Sequence, residues 1–325
     1  MNKFWKEIER LSNKSEDQIN KELAKTYKWA LEDLRLRIGA FMAEHQELRY
    51  VDMLQLNKLE SLYKQVDAAS KKVIDALKDN TYKADLRELE LGYFGEFYTI
   101  ESQLNNLNMD SNLSFGLMSE EYIKQVIEYP VNGIPLSKRL YGETLPSMQR
   151  QIKATITEGL IQGYSYKEIS RNLSDTMDNS YKKSKVIVRT ESGRVRSMAR
   201  QESVDKAKEL GVDLKKEWIS TLDRKTRHSH ASMDGQVVET QEEFTSSRGN
   251  KAMQPRMFGV AAEDINCRCG CTSVVNGISA KSRRDKIDKT VDNNGTYEKW
   301  LKKKHPKEYE RFKEVANEIH PEDNK

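Results

Sequence analysis

Apolar residues recur at three- and four-residue intervals through the first hundred positions. Trp5, Ile8, Leu11, Ile19, Leu23, Tyr27, Leu31, Leu34 and Ile38 form the first stripe. Met53, Leu56, Leu59, Leu62, Tyr63, Val66, Val73 and Leu77 form a second. Leu86, Leu89, Tyr93, Phe94, Phe97 and Leu104 form a third. This spacing places apolar side chains on one face of a helix, and such faces pack against one another in antiparallel bundles. Ser15, followed by Glu16 and Asp17, predicts a helix start within the first stripe. The aromatic group Tyr93, Phe94, Phe97 and Tyr98 fits either a core or a partner-binding face.

The polar stretch 108–120 reads as a linker. A short helix over 119–128 is expected to stop at Pro130, followed by a turn and a helix over 137–160. Gly163 and Ser165 predict a break and the cap of a helix over 166–173. Val186–Val188 fits the start of a strand, and helical spacing resumes until Gly211. Strands are expected at 215–221, 236–240 and 267–275, with a polar loop over 239–253. Residues 280–295 read as a linker, and Pro306 divides the remainder into two short helices with Lys302, Lys303 and Lys304 as a solvated basic end. The expected fold class is α+β. A mainly helical N-terminal domain (1–115) is followed by a mixed helical and small-sheet module (116–278), then a linker and basic helical tail (279–325).

Composition changes this picture little. Of 325 residues 37% are hydrophobic and 33% charged, which suits long, solvated helices. The net charge of +4 permits DNA contact without demanding it. The opening MNKFWKEIERLSNKS has no apolar centre, so no secretory leader is expected, and no window reaches the apolar length of a membrane span. Cytoplasmic synthesis and reduced thiols follow.

Candidate chemistry concentrates between Trp218 and Cys271. All three cysteines fall within five residues, and His228 and His230 share a tripeptide. Thiolates with imidazole suit zinc. In a strand, however, Cys267 and Cys271 would stand too far apart on one face for a shared ion. Plain buried thiols are the simpler expectation. The two histidines with Asp223 or Asp234 are compatible with a metal-dependent nuclease. Arg189, Ser220–Thr221 and Glu263 follow the order of residues in an ADP-ribosyltransferase. Arg189, Arg194, Arg196 and Arg200 are candidates for DNA phosphate contact, or for an ion-paired helix face with Glu191 and Glu202.

Taken together, these residues resemble a known family. The tripeptide at Arg189–Glu191 is followed by W-x-S-T-x-D-x-x-T-R-x-S-H-A-x-x-D-G, then P-x-x-F-G and E-D-I-N-C-R-C. In order, this brings Trp218, Asp223, Arg227, His230, Asp234, Gly235, Glu263, Asn266, Cys267 and Cys269 into the pattern of the phage head morphogenesis family, the minor capsid proteins of the Mu F-like and SPP1 gp7-like type. The resemblance covers about residues 120–275. His228 and Cys271 lie outside the pattern. The resemblance implies a minor capsid protein that binds the portal and supports procapsid assembly, DNA packaging or delivery. Scaffold or major capsid protein and double-stranded DNA are further candidate partners. It implies residence inside the capsid of the virion, after assembly in the host cytoplasm. It implies no catalytic residue and no cofactor; a zinc ion at His230, Cys267 and Cys269 is a candidate only, since a fourth ligand is missing. The patterned polar residues are expected to tie the loop 218–235 to the cysteine strand. An injected nuclease or ADP-ribosyltransferase is the alternative.

Overall fold

The computed structural model describes residues 3–45, 50–55, 57–109, 113–128, 134–275 and 296–319. The expected linker at 280–295 lies outside them, as do parts of the stretch 108–120 and of the turn after Pro130. The fold is α+β. Its helices are α1 (Lys3–Glu44), α2 (Tyr50–Gln55), α3 (Lys58–Asn106), α4 (Glu120–Glu128), α5 (Leu136–Arg139), α6 (Leu145–Ile161), α7 (Tyr166–Glu209), α8 (His228–Ala231), α9 (Ala261–Asp264), α10 (Tyr297–Lys304) and α11 (Pro306–Ile319). The strands are β1 (Leu214–Ile219), β2 (Val237–Glu239), β3 (Phe244–Thr245), β4 (Lys251–Ala252) and β5 (Gly270–Val275). None of the described helices is long and apolar enough to cross a membrane.

Two compact units share the chain. One holds Met1–Glu16, Tyr82–Asn132 and Arg189–Lys325; the other holds Asp17–Thr81 and Gly133–Val188.

The second unit is a helical bundle. Leu23, Leu34 and Ile38 of α1, Val66, Val73 and Leu77 of α3, Ile152 and Ile156 of α6, and Ile169 and Leu173 of α7 are buried. Polar pairs link the same helices: Tyr27 Oη lies 2.7 Å from Ser184 Oγ, and Lys153 Nζ donates to Asp67 at 2.7 Å. Between α5 and α6 a π-helical turn runs over Leu140–Thr144. Pro146 follows it; lacking an N–H, proline cannot continue the α-helical ladder backwards, and one wide turn absorbs the missing bond.

Two helices run longer than their sequence pattern suggests. Ser15 starts no helix, because α1 continues through it with Leu11 and Ile19 both buried. Val186–Val188 is not a strand but the middle of α7. The inner face of α7 alternates Val188, Val195, Ala199 and Val204 with buried Ser184, Ser192, Arg196, Arg200 and Ser203, which breaks the apolar periodicity while the helix persists. At its start Ser165 caps α7 as expected. Ser165 Oγ and N both donate to Glu168 Oε2, at 2.7 and 2.8 Å. At its end Gly211 adopts φ +86°, and Val212 N donates to Ala207 O at 3.0 Å.

The first unit sets a sheet against helices. Its strand order is β2-β1-β5, all antiparallel, with Trp218 opposite Cys271. Every residue of β5 is buried. Gln103 Nε2 of α3 donates to Ser273 O at 3.1 Å, and Trp5 Nε1 of α1 donates to Cys271 O at 3.0 Å. A side chain at Gly270 would place its Cβ 2.7 Å from the Trp5 ring, so only glycine fits there. Tyr93, Phe94, Phe97 and Tyr98 are fully buried and form a core rather than an exposed face. Residues 296–319 complete that core: Trp300 and Phe312 are buried, Trp300 Nε1 donates to Glu101 Oε2 at 2.7 Å, and Pro306 separates two helices as expected.

Candidate functional site

Trp218 is the anchor. It stands on β1, fully buried, with ring contacts to His230, Phe244 and Phe258 at centroid distances of 5.6, 5.4 and 5.8 Å. Its Nε1 donates to Ser220 Oγ at 3.1 Å. The loop after β1 returns on itself. Ser220 N donates to Asp234 Oδ1 at 3.0 Å, and Gly235, at φ +78°, donates its N–H to Trp218 O at 2.9 Å. A non-glycine residue would be strained at that φ. Ser220 Oγ donates to His230 O, which fixes α8 under the tryptophan.

The loop is bound to the cysteine segment by several polar links. Arg268 donates to Asp223 through both terminal nitrogens, with Nη2 to Oδ1 at 2.6 Å. That bidentate partner holds the Asp223 carboxyl well below the usual range. Thr221 Oγ1 donates to Arg268 O at 2.8 Å, and Arg227 Nη2 to Ile265 O at 2.5 Å. Asp223 and Arg227, four residues apart, each bond to the cysteine segment. Asn266 adopts φ +57°, accepts from Arg189 at 2.9 Å and donates its N–H to Thr190 Oγ1 at 3.0 Å.

Cys267 and Cys269 precede β5 rather than lying in it, contrary to the strand expected from 267. The left-handed turn at Asn266 frees the two side chains from strand geometry, and both sulfurs reach one nitrogen. His230 Nδ1 stands 3.5 Å from Cys267 Sγ and 3.6 Å from Cys269 Sγ. The three ligand atoms lie within 4.8 Å of one another, and all three residues are buried. On the far side of the ring, Nε2 lies 3.0 Å from Glu263 Oε2. Burial opposes charge on Glu263, but hydrogen bonds from Asn250 and Ser229, with His230 nearby, outweigh it and hold the carboxyl below its ordinary value. The Cys267 thiol is drawn well below its usual value, chiefly by the Cys269 hydrogen bond. Cys269 is correspondingly pushed up, by that bond and then by burial. Cys271 faces a different environment, where burial pushes its thiol up to about 11.

The four arginines do not form one exposed face. Arg189 pairs with Glu16, and Arg194 lies 3.6 Å from Glu191. Arg196 contacts Glu9 at 2.9 Å and Glu88 at 3.4 Å, and Arg200 Nε donates to Glu96 Oε2 at 2.6 Å. Arg194, Arg196 and Arg200 are buried. Glu202 pairs with Lys206 instead of an arginine.

The residues of the nuclease and transferase readings are engaged by other groups of the protein. His228 is exposed while His230 is buried, and Asp223 and Asp234 are engaged with Arg268 and Ser220. Arg189 stands on a helix, and Glu263 is sealed against Ser229 and Asn250 at 3.0 and 3.1 Å.

Several residues of this site escape sequence reasoning. Ser229, Ser246 and Asn250 surround Glu263, and Arg256 Nε donates to Cys267 O at 2.8 Å. Ser246 and Asn250 belong to the β3–β4 hairpin, inside the stretch expected to be an irregular loop. Nothing in their spacing marks them.

Comparison with known proteins finds similarity over the part of the chain that holds these residues. The family model described as Phage Mu protein F like protein matches residues 150–272. The Minor head protein GP7 of Bacillus phage SPP1 is 26% identical over 279 residues, which cover 83% of this chain and 86% of that protein. Both matches support the phage minor head protein family for this chain. The chain is also 36% identical over 304 residues to a protein of Enterococcus faecalis (strain ATCC 700802 / V583) named NAD(+)--arginine ADP-ribosyltransferase EFV. That match covers 92% of the chain and only 60% of the enterococcal protein's length. An uncharacterized protein of Haemophilus influenzae is 24% identical over 151 residues, 46% of this chain. No solved structure matches.

Proposed function

We propose that this protein is a minor head protein, a structural part of the virion that binds the portal from inside the capsid and supports assembly of the procapsid and passage of DNA. It would meet portal, and scaffold or major capsid protein, in the host cytoplasm as heads assemble. The observation that carries the reading is the closed lattice around Trp218. Its acids, histidine and thiols are spent on one another: Glu263, His230, Cys267 and Cys269 are all buried, and Asp223 and Asp234 bind groups of the protein itself. An arrangement with its reactive groups turned inward supports rigidity rather than turnover. Co-expression with the portal protein of the same phage tests this. Co-purification in fixed stoichiometry is expected, and separate elution at assembly concentrations would overturn it.

The enterococcal relative's name favours the transferase alternative. Against it stand the positions of Arg189 on a helix and of Glu263 in the interior. The match also leaves part of that relative's length outside the shared region. Incubation with labelled NAD and a host lysate is expected to label nothing; labelling lost in Glu263→Gln would establish the alternative.

A further inference from the structure

We propose that His230, Cys267 and Cys269 bind a single zinc ion that clasps α8 to the segment before β5. Tetrahedral zinc takes thiolate sulfur at about 2.3 Å and imidazole nitrogen at about 2.05 Å, which sets each N···S separation at about 3.6 Å. The separations here are 3.5 and 3.6 Å. A bare S–H···N contact would give one thiol a short bond to the ring; equal approach of two sulfurs to one nitrogen is the geometry of a shared ion.

The second observation is the orientation of the ring. Glu263 Oε2 stands 3.0 Å from Nε2, off the line of a hydrogen bond, and Glu263 is itself fixed by Ser229 and Asn250. An anionic neighbour on that side favours, by charge, a proton on the far nitrogen, which presents the other lone pair to a metal. Here that lone pair, on Nδ1, faces the two sulfurs. The third observation is burial: the imidazole is 1% exposed and the thiols 1% and 2%, with no disulfide between them. Oxygen-preferring ions such as magnesium or calcium find no carboxylate in this triad, whereas thiolate with imidazole selects zinc.

Binding is balanced in charge. Two thiols lose two protons to solvent as one Zn²⁺ enters, and the neutral imidazole donates its lone pair. Among the described residues these three supply the ligand atoms, and water takes the fourth position. Closed across the loop 218–235, the ion would do in one bond set what the surrounding hydrogen bonds do in several.

The full chain, expressed with zinc in the medium and purified reduced, is expected to carry about one zinc per chain by elemental analysis. Cobalt substitution is expected to show a thiolate-to-cobalt charge-transfer band. Cys267→Ser and Cys269→Ser should each lose the zinc, whereas Cys271→Ser should keep it. If the first two variants fail to fold, the cobalt spectrum of the unaltered protein still decides, because only sulfur ligation produces that band. Zinc-free protein that binds no zinc in competition with a chromogenic chelator would overturn the proposal. So would equal loss of zinc from Cys271→Ser.

Discussion

Replacing Arg200 by methionine separates an architectural arginine from one that contacts DNA. Arg200 is 8% exposed and its partner Glu96 is 1% exposed. Nε donates to Glu96 Oε2 at 2.6 Å, Nη2 reaches the same oxygen, and Ser273 Oγ donates to Oε1. Methionine fills most of the aliphatic volume but leaves the carboxylate charged, buried and short of its main partner. Removing one member of a buried pair costs about 3–5 kcal/mol. The surviving Ser273 bond places this case near the lower end, about 3 kcal/mol. Removing both charges, as in Arg200→Met with Glu96→Leu, abolishes the uncompensated ion and leaves only Ser273 without its acceptor, about 1 kcal/mol. The double variant should therefore be more stable than the single one by about 2 kcal/mol. Urea unfolding followed by tryptophan emission measures all three proteins, and a gel shift across a salt series runs beside it. A phosphate contact would behave differently. Stability would then stay at the wild-type level, while the salt slope of DNA binding would fall by about 1. That result would refute the reading of this arginine as a structural counter-ion.

Four further outcomes follow from the geometry. Gly92→Ala places a Cβ 2.6 Å from Arg196 O and 2.9 Å from Ala199 Cβ. Overpacking of about 1–3 kcal/mol should exceed the helix-propensity gain of about 1 kcal/mol, and a higher melting temperature would disprove the close approach. Burial pushes the Tyr27 phenol up from 10.0 to about 12. Its contribution is complete below pH 10 and lost as pH rises through 12, about 2.7 kcal/mol in all, so Tyr27→Phe should lose less stability than wild type over pH 10–12. Ser165→Ala removes the α7 cap; about 1 kcal/mol and faster amide exchange in the first turn are expected, and unchanged exchange would count against the cap. Asp234→Ala deprives Ser220 N of its acceptor and should cost about 1 kcal/mol, whereas superimposable melting curves would remove Asp234 from the lattice.

Local pattern was enough for the elements whose cause is local. The three apolar stripes produce helices, Pro306 divides the last two, Ser165 caps α7, and the run 215–221 after Gly211 reads as the strand that becomes β1. The order of Trp218, Asp223, His230, Asp234, Glu263, Cys267 and Cys269 was likewise enough to name the family, because order and spacing are properties of the chain itself. What tertiary structure decided depends on closing long loops. Arg196 and Arg200 read either as DNA contacts or as an ion-paired face with Glu191 and Glu202; the carboxylates that meet them in the interior include Glu88 and Glu96, about a hundred residues away. α7 looks interrupted because those buried charges occupy positions where periodicity demands apolar residues. Under strand geometry Cys267 and Cys271 look too far apart for a common ion; the turn at Asn266 with the arrival of His230 instead brings the Cys267 and Cys269 sulfurs to Nδ1. Side-chain periodicity reports which face of an element is inward. Which charge meets which there is set by contacts between distant segments, and those form only when the whole unit closes.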